Sequence, residues 1–473
     1  MLNRLQPLDN GQLATLHNAC MKILSKVGVA FHDAEALEIF KEHGFKVDGK
    51  KVFFSEDKVL KALETMPSEF TIQARNPEKS INIGGDHFAL GPGWGAPLII
   101  DAYGERRNAS MEDQDNFCKL VQTSPYLDLV AGSMAIPAEL SARAATASML
   151  ASCFTLTDMP VMANPCSREN GLEIVEMAAI AWGGEVVIEQ SPVTIVSVNP
   201  LSPLSYTEEA AGGLITFARH GQALLISSMV LAGISGPITI AGTAVMEMTE
   251  SLAGIVLAQL VKPGVPCVCG GTSCAGDLRT GGVYLGGPEL LQLMAISTQM
   301  AHHYGIPCRY GGNLTDSFSL NMQAGSESAL ALSTGLLSGV HFVHQACGIL
   351  GAYSAISFEK FVLDEEACGL MKRALCPVDI SVESIGLDLI ERVGSSGNYM
   401  MTDETVMHCR TAFFPSCLAQ RGTYEEWCKE DLGNTARIAA KHVEERLEAY
   451  VKPDNDPAME KDMERYVASK LNG

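Results

Sequence analysis

The sequence predicts an α/β protein centred on an eight-stranded (β/α)8 TIM barrel, with an N-terminal helix-and-sheet cap and a C-terminal helical extension. Three observations predict it. Short apolar runs recur at 127–131, 160–163, 193–198, 223–228, 266–269, 307–310, 341–344 and 378–381, the strand count of a parallel barrel. Their starts lie roughly 30 to 40 residues apart, the length of a strand, loop and crossover helix. They also lack the polar alternation of a solvent-facing sheet, as expected for strands covered on both faces. A doubly wound open sheet shares this rhythm, but no GxGxxG follows the first run, so the barrel is preferred. The expected boundaries are 1–126 for the cap, 127–390 for the barrel and 391–473 for the extension.

Over 13–45, apolar residues such as Leu16, Ile23, Leu24, Leu37 and Phe40 recur at helical spacing, and Asp33 suits the cap of a second helix. The pattern then shortens to β-like segments at 52–54, 70–74, 81–83 and 88–90, punctuated by Gly84 and Gly85. The stretch 221–246 carries no charge, which raises the question of a membrane span. Gly233, Ser235, Gly236 and Pro237 interrupt it, so a buried strand, a loop and a helix carrying Glu247 and Glu250 are expected instead. Beyond 391, Phe413 and Phe414 lead towards a charged helix over 431–450.

Composition narrows the function. The 473 residues are 47% apolar and 19% charged, enough to bury a large core. Fifty-five acidic against 34 basic side chains give a formal charge of −21, which repels nucleic acid and anionic lipid. The 14 cysteines form no CxxC pair and no signal peptide opens the chain, so a cytoplasmic protein is expected. Self-association is also expected of a barrel with added terminal segments.

A parallel barrel works at the carboxyl ends of its strands. There the sequence places Asn164, Asn199, Ser228, Gly270, Gly271, Gly311, Gly312, Asn313 and His344, which supply dipoles and space but little acid or base. That scarcity argues against hydrolysis by paired carboxylates or by a metal. Cys267, Cys269 and Cys274 with His302 and His303 resemble zinc ligands in type. Their spacing suits buried thiols better, and no tightly bound metal is expected.

Gly311-Gly312-Asn313-Leu314-Thr315-Asp316-Ser317-Phe318 followed by Gln323-Ala324-Gly325-Ser326-Glu327, the loop Gly91-Pro92-Gly93-Trp94-Gly95-Ala96-Pro97, and the stretch from Arg421 through Trp427 resemble the trimethylamine:corrinoid methyltransferase family. The resemblance implies an α/β barrel that docks a small corrinoid protein over its mouth and passes a methyl group to the partner's cobalt. The trimethylamine enzymes carry pyrrolysine near the position of Phe318, and this chain has none. Trimethylamine is a neutral amine that must be made quaternary before it can lose a methyl group. A betaine is already quaternary, so the departure implies glycine betaine or proline betaine, ahead of carnitine-like amines, as the substrate of a non-pyrrolysine member.

Quaternary ammonium groups are held over aromatic faces, and Trp94 and Phe318 are the preferred candidates, with Tyr310, Phe342 and Tyr353 in reserve. Arg309, His344 and Gln345 are candidates for the substrate carboxylate, and Asn199 for a further polar contact. Arg309 has the alternative of pairing with Asp316. A betaine-binding or sensing barrel without transfer activity is the competing class.

Overall fold

The computed structural model describes residues 4–164, 167–419, 421–429 and 435–471. The helix Asn10–Lys26 opens with a capping box in which Asp9 and Gln12 each accept from the other's backbone amide. Asp33 caps Ala34–Glu42 as its sequence position predicts, and its second oxygen accepts from Arg168 at 2.8 Å. The hairpin Glu69–Ile72 and Ile81–Gly84 follows.

The central strands are parallel and fall into two hydrogen-bonded groups. One runs in the order Val130–Ala131, Val161–Ala163, Thr194–Val198, Ala223–Ile226, Cys267–Cys269. The other runs Arg309–Gly311, Phe342–His344, Ala89–Leu90. The groups meet at both margins. Cys269 bridges Cys308 in parallel, and its amide donates to Pro307 O at 2.9 Å. At the other margin the amide of Asp128 donates to Leu90 O at 2.9 Å, while the Asp128 carboxylate accepts from the Leu90 amide at 2.8 Å. The result is a mixed α/β fold in which long helices alternate with parallel strands.

One expected strand is corrected. Residues 378–381 are not a strand: Val378 and Ile380 are 83% and 81% exposed. The place beside Phe342–His344 belongs to Ala89–Leu90, in the segment read as cap. Alternation of Val378, Asp379, Ile380 and Ser381 mimics a strand, but its apolar face meets solvent.

The uncharged stretch resolves into Ala223–Ile226, Leu231–Ala232 and the helix Ile240–Val261. That helix is apolar and long enough to cross a membrane, yet its most apolar window is 83% buried within the protein, which makes it a core helix.

Successive strand residues face opposite sides, and residues two apart share a side. On one side Ala89, Leu129, Met162, Ile195, Leu225, Val268 and Phe342 cluster with Phe70, Ile72, Ile81 and Ile83 of the hairpin. The hairpin thus closes an apolar layer. Phe342 shares its side with His344, whose ring stacks 5.8 Å away, and with its register partner Arg309. A polar pair therefore sits next to the apolar layer.

Candidate substrate site

Arg309 is 4% exposed, and its guanidinium donates to His344 Nδ1 at 3.0 Å and lies 3.5 Å from Ser227 Oγ. Its Nε has no partner, and no carboxylate of the described residues pairs with it, although the charge of the buried Glu247 acts on it from farther off. An unpaired buried cation is expensive. Burial pushes the Arg309 pKa down from its ordinary value.

His344 is 1% exposed, and burial followed by the Arg309 charge holds its pKa well below the usual histidine value. The imidazole is therefore neutral. Since Nδ1 accepts from Arg309, the ring proton sits on Nε2. That Nε2 is buried and without a partner.

Trp94 lies beside His344, its ring 5.7 Å from the imidazole at 54°, with Nε1 buried and unpartnered. Gln345 fixes the loop: at φ +65° its Oε1 accepts from the Trp94 amide at 3.0 Å, and its Nε2 lies 3.5 Å from Trp94 O. Gly93 cannot be replaced freely, because a Cβ there would come within 2.6 Å of Cys347 O. Tyr353, at φ +74°, has a buried, unpartnered hydroxyl, and Arg309 lowers its pKa against the larger upward push of burial. Asn164 Oδ1 is likewise orphaned at the end of Val161–Ala163.

The structure thus gathers Trp94, Arg309, His344 and Gln345. The other two sequence candidates stand apart in character. Phe318 is 60% exposed and lies against Gly351. Asn199 is exposed, and its Oδ1 accepts from Ser197 Oγ at 2.8 Å. Tyr310 is committed to Ser273 O at 3.0 Å, and Phe342 belongs to the apolar layer.

The alternative pairing of Arg309 with Asp316 does not form. Asp316 accepts from the amides of Leu285 and Gly286 at 2.9 and 2.7 Å, and Glu327 accepts from Thr315 Oγ1 at 2.6 Å and the Asp316 amide at 2.9 Å. Glu327 also accepts from Gln323 at 3.0 Å. The two quoted motifs are therefore one bracing network around the loop after Arg309–Gly311.

Glu247, which the site reading omitted, is buried beside Ser273 and Ser297 without a well-formed hydrogen bond, and burial raises its pKa to about 7. Its neighbour Glu250 accepts from Ser228 and Ser202 and from the Leu204 amide, at 2.5, 2.7 and 2.7 Å. Two acids inside a long apolar helix were the available signal.

The zinc-like set does not assemble as the sequence spaced it. Burial pushes the Cys267 and Cys274 thiols up to about 12. Among the described residues, His302, Cys308 and His341 instead place one ligand-type atom each within 4.8 Å of one another. His341 Nδ1 accepts from the Cys308 amide at 3.1 Å, and Nε2 lies 3.2 Å from Gly85 O. His302 Nε2 lies 3.0 Å from Gly339 O and Nδ1 3.4 Å from Arg4. Both imidazoles are already used in tying loops together.

The sequence profile of the trimethylamine methyltransferase (MTTB) family matches residues 1–473. The chain belongs to the trimethylamine methyltransferase family. Within reach of this family member is a glycine betaine methyltransferase of Desulfitobacterium hafniense (strain Y51), 37% identical over 470 residues, covering 99% of this chain and 98% of that protein. A proline betaine:corrinoid methyltransferase of Eubacterium limosum is 31% identical over 462 residues, covering 96% and 95%. The crystal structure of the Methanosarcina barkeri monomethylamine methyltransferase superposes with a TM-score of 0.53 at 14% identity, over 95% of this chain and 89% of that one. This last likeness shows that the trimethylamine methyltransferase family member has that fold.

Proposed function

We propose that the protein demethylates a small betaine, glycine betaine ahead of proline betaine, and delivers the methyl group to the cobalt(I) of a corrinoid on a separate protein. The observation that carries this reading is Arg309, a buried cation with no ion-pair partner among the described residues, hydrogen-bonded to His344, whose ring lies 5.7 Å from the Trp94 indole. A trimethylamine site has no use for a buried cation. A betaine presents both a carboxylate for Arg309 and a quaternary nitrogen for Trp94. The betaine names of two relatives support the same choice.

The chain's own part is binding and orientation. Arg309 and the Nε2–H of His344 donate to the carboxylate, forming charge-assisted hydrogen bonds. The Trp94 face holds the ammonium, worth about 0.5 to 2 kcal/mol, and Gln345 keeps that loop in place. The docked corrinoid supplies the nucleophile. The N–CH3 bond breaks with its electron pair passing to nitrogen, so the product leaves as a neutral tertiary amine and no proton need be supplied. Fixing one N-methyl in line with the mouth is the contribution of such a site. Orphaned donors at the strand ends, with no acid–base pair among them, fit a transfer whose nucleophile comes from outside the chain.

The strand groups are, in this reading, halves of one closed eight-stranded barrel. The links at Cys269–Cys308 and Asp128–Leu90 support it, and Ala89–Leu90 would then move the barrel's start back from residue 127 into the cap. The residues beyond 391 remain an extension, and the barrel works in the cytoplasm with a corrinoid protein as its macromolecular partner, the charge of −21 disfavouring nucleic acid and anionic membrane surfaces. Methylation of a purified corrinoid partner, assayed with glycine betaine, proline betaine, carnitine and trimethylamine, tests the proposal. Transfer from glycine betaine is expected; tight betaine binding with no transfer would instead indicate a sensing protein.

A further inference from the structure

Cys308 and His341 immediately precede two neighbouring strands, Arg309–Gly311 and Phe342–His344. The register that pairs Arg309 with Phe342 sets Cys308 opposite His341, and the His341 amide donates to Cys308 O at 2.9 Å. His302 lies in the last turn of the helix Pro288–His303, and Gly305, at φ +67°, turns the chain so that Cys308 returns beside it. A helix end and two strand starts thus hold one thiol and two imidazoles together. Cys308 Sγ is 3.4 Å from His341 Nδ1 and 3.7 Å from His302 Nε2. The set differs from the one the sequence spacing suggested and shares only His302 with it.

These two separations are those of a coordination edge. With Zn–S about 2.3 Å and Zn–N about 2.0 to 2.1 Å, a sulfur and a nitrogen at the tetrahedral angle stand about 3.5 Å apart. Hydrogen bonding does not account for the approach. His341 Nδ1 already accepts from the Cys308 amide, and His302 Nε2 carries the proton directed at Gly339 O, so neither nitrogen offers the thiol a lone pair. The thiol's own acceptor, Gly339 O, is 3.9 Å away. The second nitrogen of His341 is oriented as in a metal-bound imidazole, which commonly donates its other ring N–H to a backbone carbonyl: Nε2 lies 3.2 Å from Gly85 O.

We propose that Cys308, His341 and His302 form a zinc site that clips the two strand starts to the preceding helix. One thiolate and two imidazoles at tetrahedral spacing select zinc over calcium or magnesium, which take oxygen ligands. On binding, the Cys308 thiol gives its proton to water. His341 Nδ1 exchanges the Cys308 amide for the ion. The His302 proton moves from Nε2 to Nδ1, which turns Arg4 away from that nitrogen, now 3.4 Å distant, towards Asp86, 3.5 Å distant. His341 also lines a cleft of about 280 Å³ together with Arg4, Asp86 and His87, which gives the ion a way in and gives water, as fourth ligand, a place. Arg309 directly follows Cys308, and His344 lies on the strand that His341 begins, so the clip holds the two strands that carry the substrate pair. Its role is structural, and the inference does not rest on the proposed substrate.

The test uses the full-length protein, stripped with a chelator and titrated with cobalt(II) as a spectroscopic probe for zinc. One equivalent is expected to produce a thiolate-to-cobalt charge-transfer band with the intense visible bands of a tetrahedral ion, and zinc should displace both. Cys308→Ser should lose the charge-transfer band and His341→Ala should weaken binding by at least about 100-fold, whereas Cys376→Ser, at an exposed thiol, should bind as the wild type does. X-ray absorption of the zinc-loaded wild type supplies a readout that needs no variant: one sulfur and two imidazole nitrogens per zinc. A wild type without the charge-transfer band, a band that survives Cys308→Ser, or a zinc shell with no sulfur or with several would each overturn the proposal.

Discussion

The guanidinium of Arg309 donates to Nδ1 of His344 at 3.0 Å, and both side chains are buried. That single bond sets the histidine tautomer, placing the proton on a buried Nε2 that has no hydrogen-bond partner, beside a guanidinium that has no ion-pair partner among the described residues and feels the charge of Glu247 only at longer range. A buried cation without an ion pair is costly to the protein, and the carboxylate of the proposed substrate would offset that cost.

Arg309→Met should therefore not lower stability. Replacing a buried, unpaired cation by an apolar side chain of similar length is neutral or favourable by about 1 kcal/mol or more. Thermal unfolding without substrate should give a melting temperature equal to or above that of the wild type. A fall of many degrees would show that Arg309 holds the fold.

Trp94→Ala should weaken betaine binding by roughly 3- to 30-fold, the range of one cation–π contact. Gln345→Ala should produce part of the same loss by releasing the loop, since its contacts are to the Trp94 backbone and not to the open site. Calorimetric titration reads both effects. An affinity of Trp94→Ala equal to that of the wild type would remove Trp94 from the site.

Glu247 gives a pH dependence with a defined sign. Its folded pKa is raised from 4.5 to about 7, so the neutral acid is the form that suits the fold. Its contribution is fully present below pH 4.5 and is lost as pH rises to about 7, after which the loss is constant. The shift corresponds to about 3 kcal/mol as an order of magnitude. Glu247→Gln should show a stability advantage over the wild type that grows between pH 4.5 and 7 in denaturant titrations. A pH-independent difference would contradict the assignment.

Glu327→Ala should cost about 1 to 3 kcal/mol, because it leaves Thr315 Oγ1 and the Asp316 amide without their charged acceptor. Chemical unfolding measures the loss. An unchanged midpoint would mean that the motif serves something other than the loop.

Seven of the eight strand positions were legible because a parallel strand covered on both faces must be apolar throughout. The remaining one was read as a β segment at 88–90 but assigned to the cap, because two strand residues, Ala89–Leu90, are too short for any pattern to say which sheet they join, while 378–381 had the periodicity without the burial. Arg309, His344 and Trp94, named from the sequence for the substrate, are brought together by the structure, although Arg309 begins its strand Arg309–Gly311 where His344 ends its own. Gln345 was named for the substrate carboxylate, but its contacts run to the Trp94 backbone, and sequence spacing carries no sign of that direction. The bracing by Glu327 and Glu250 was equally hidden, since both act across loops that only the fold brings together.

The most direct measurement compares the affinity of the purified chain for glycine betaine and for tetramethylammonium, which keeps the cation and lacks the carboxylate, in the wild type and in Arg309→Met. The account predicts a strong wild-type preference for glycine betaine that Arg309→Met abolishes, with tetramethylammonium binding little changed. A preference that survives the substitution, or a wild type that binds the two alike, would contradict it.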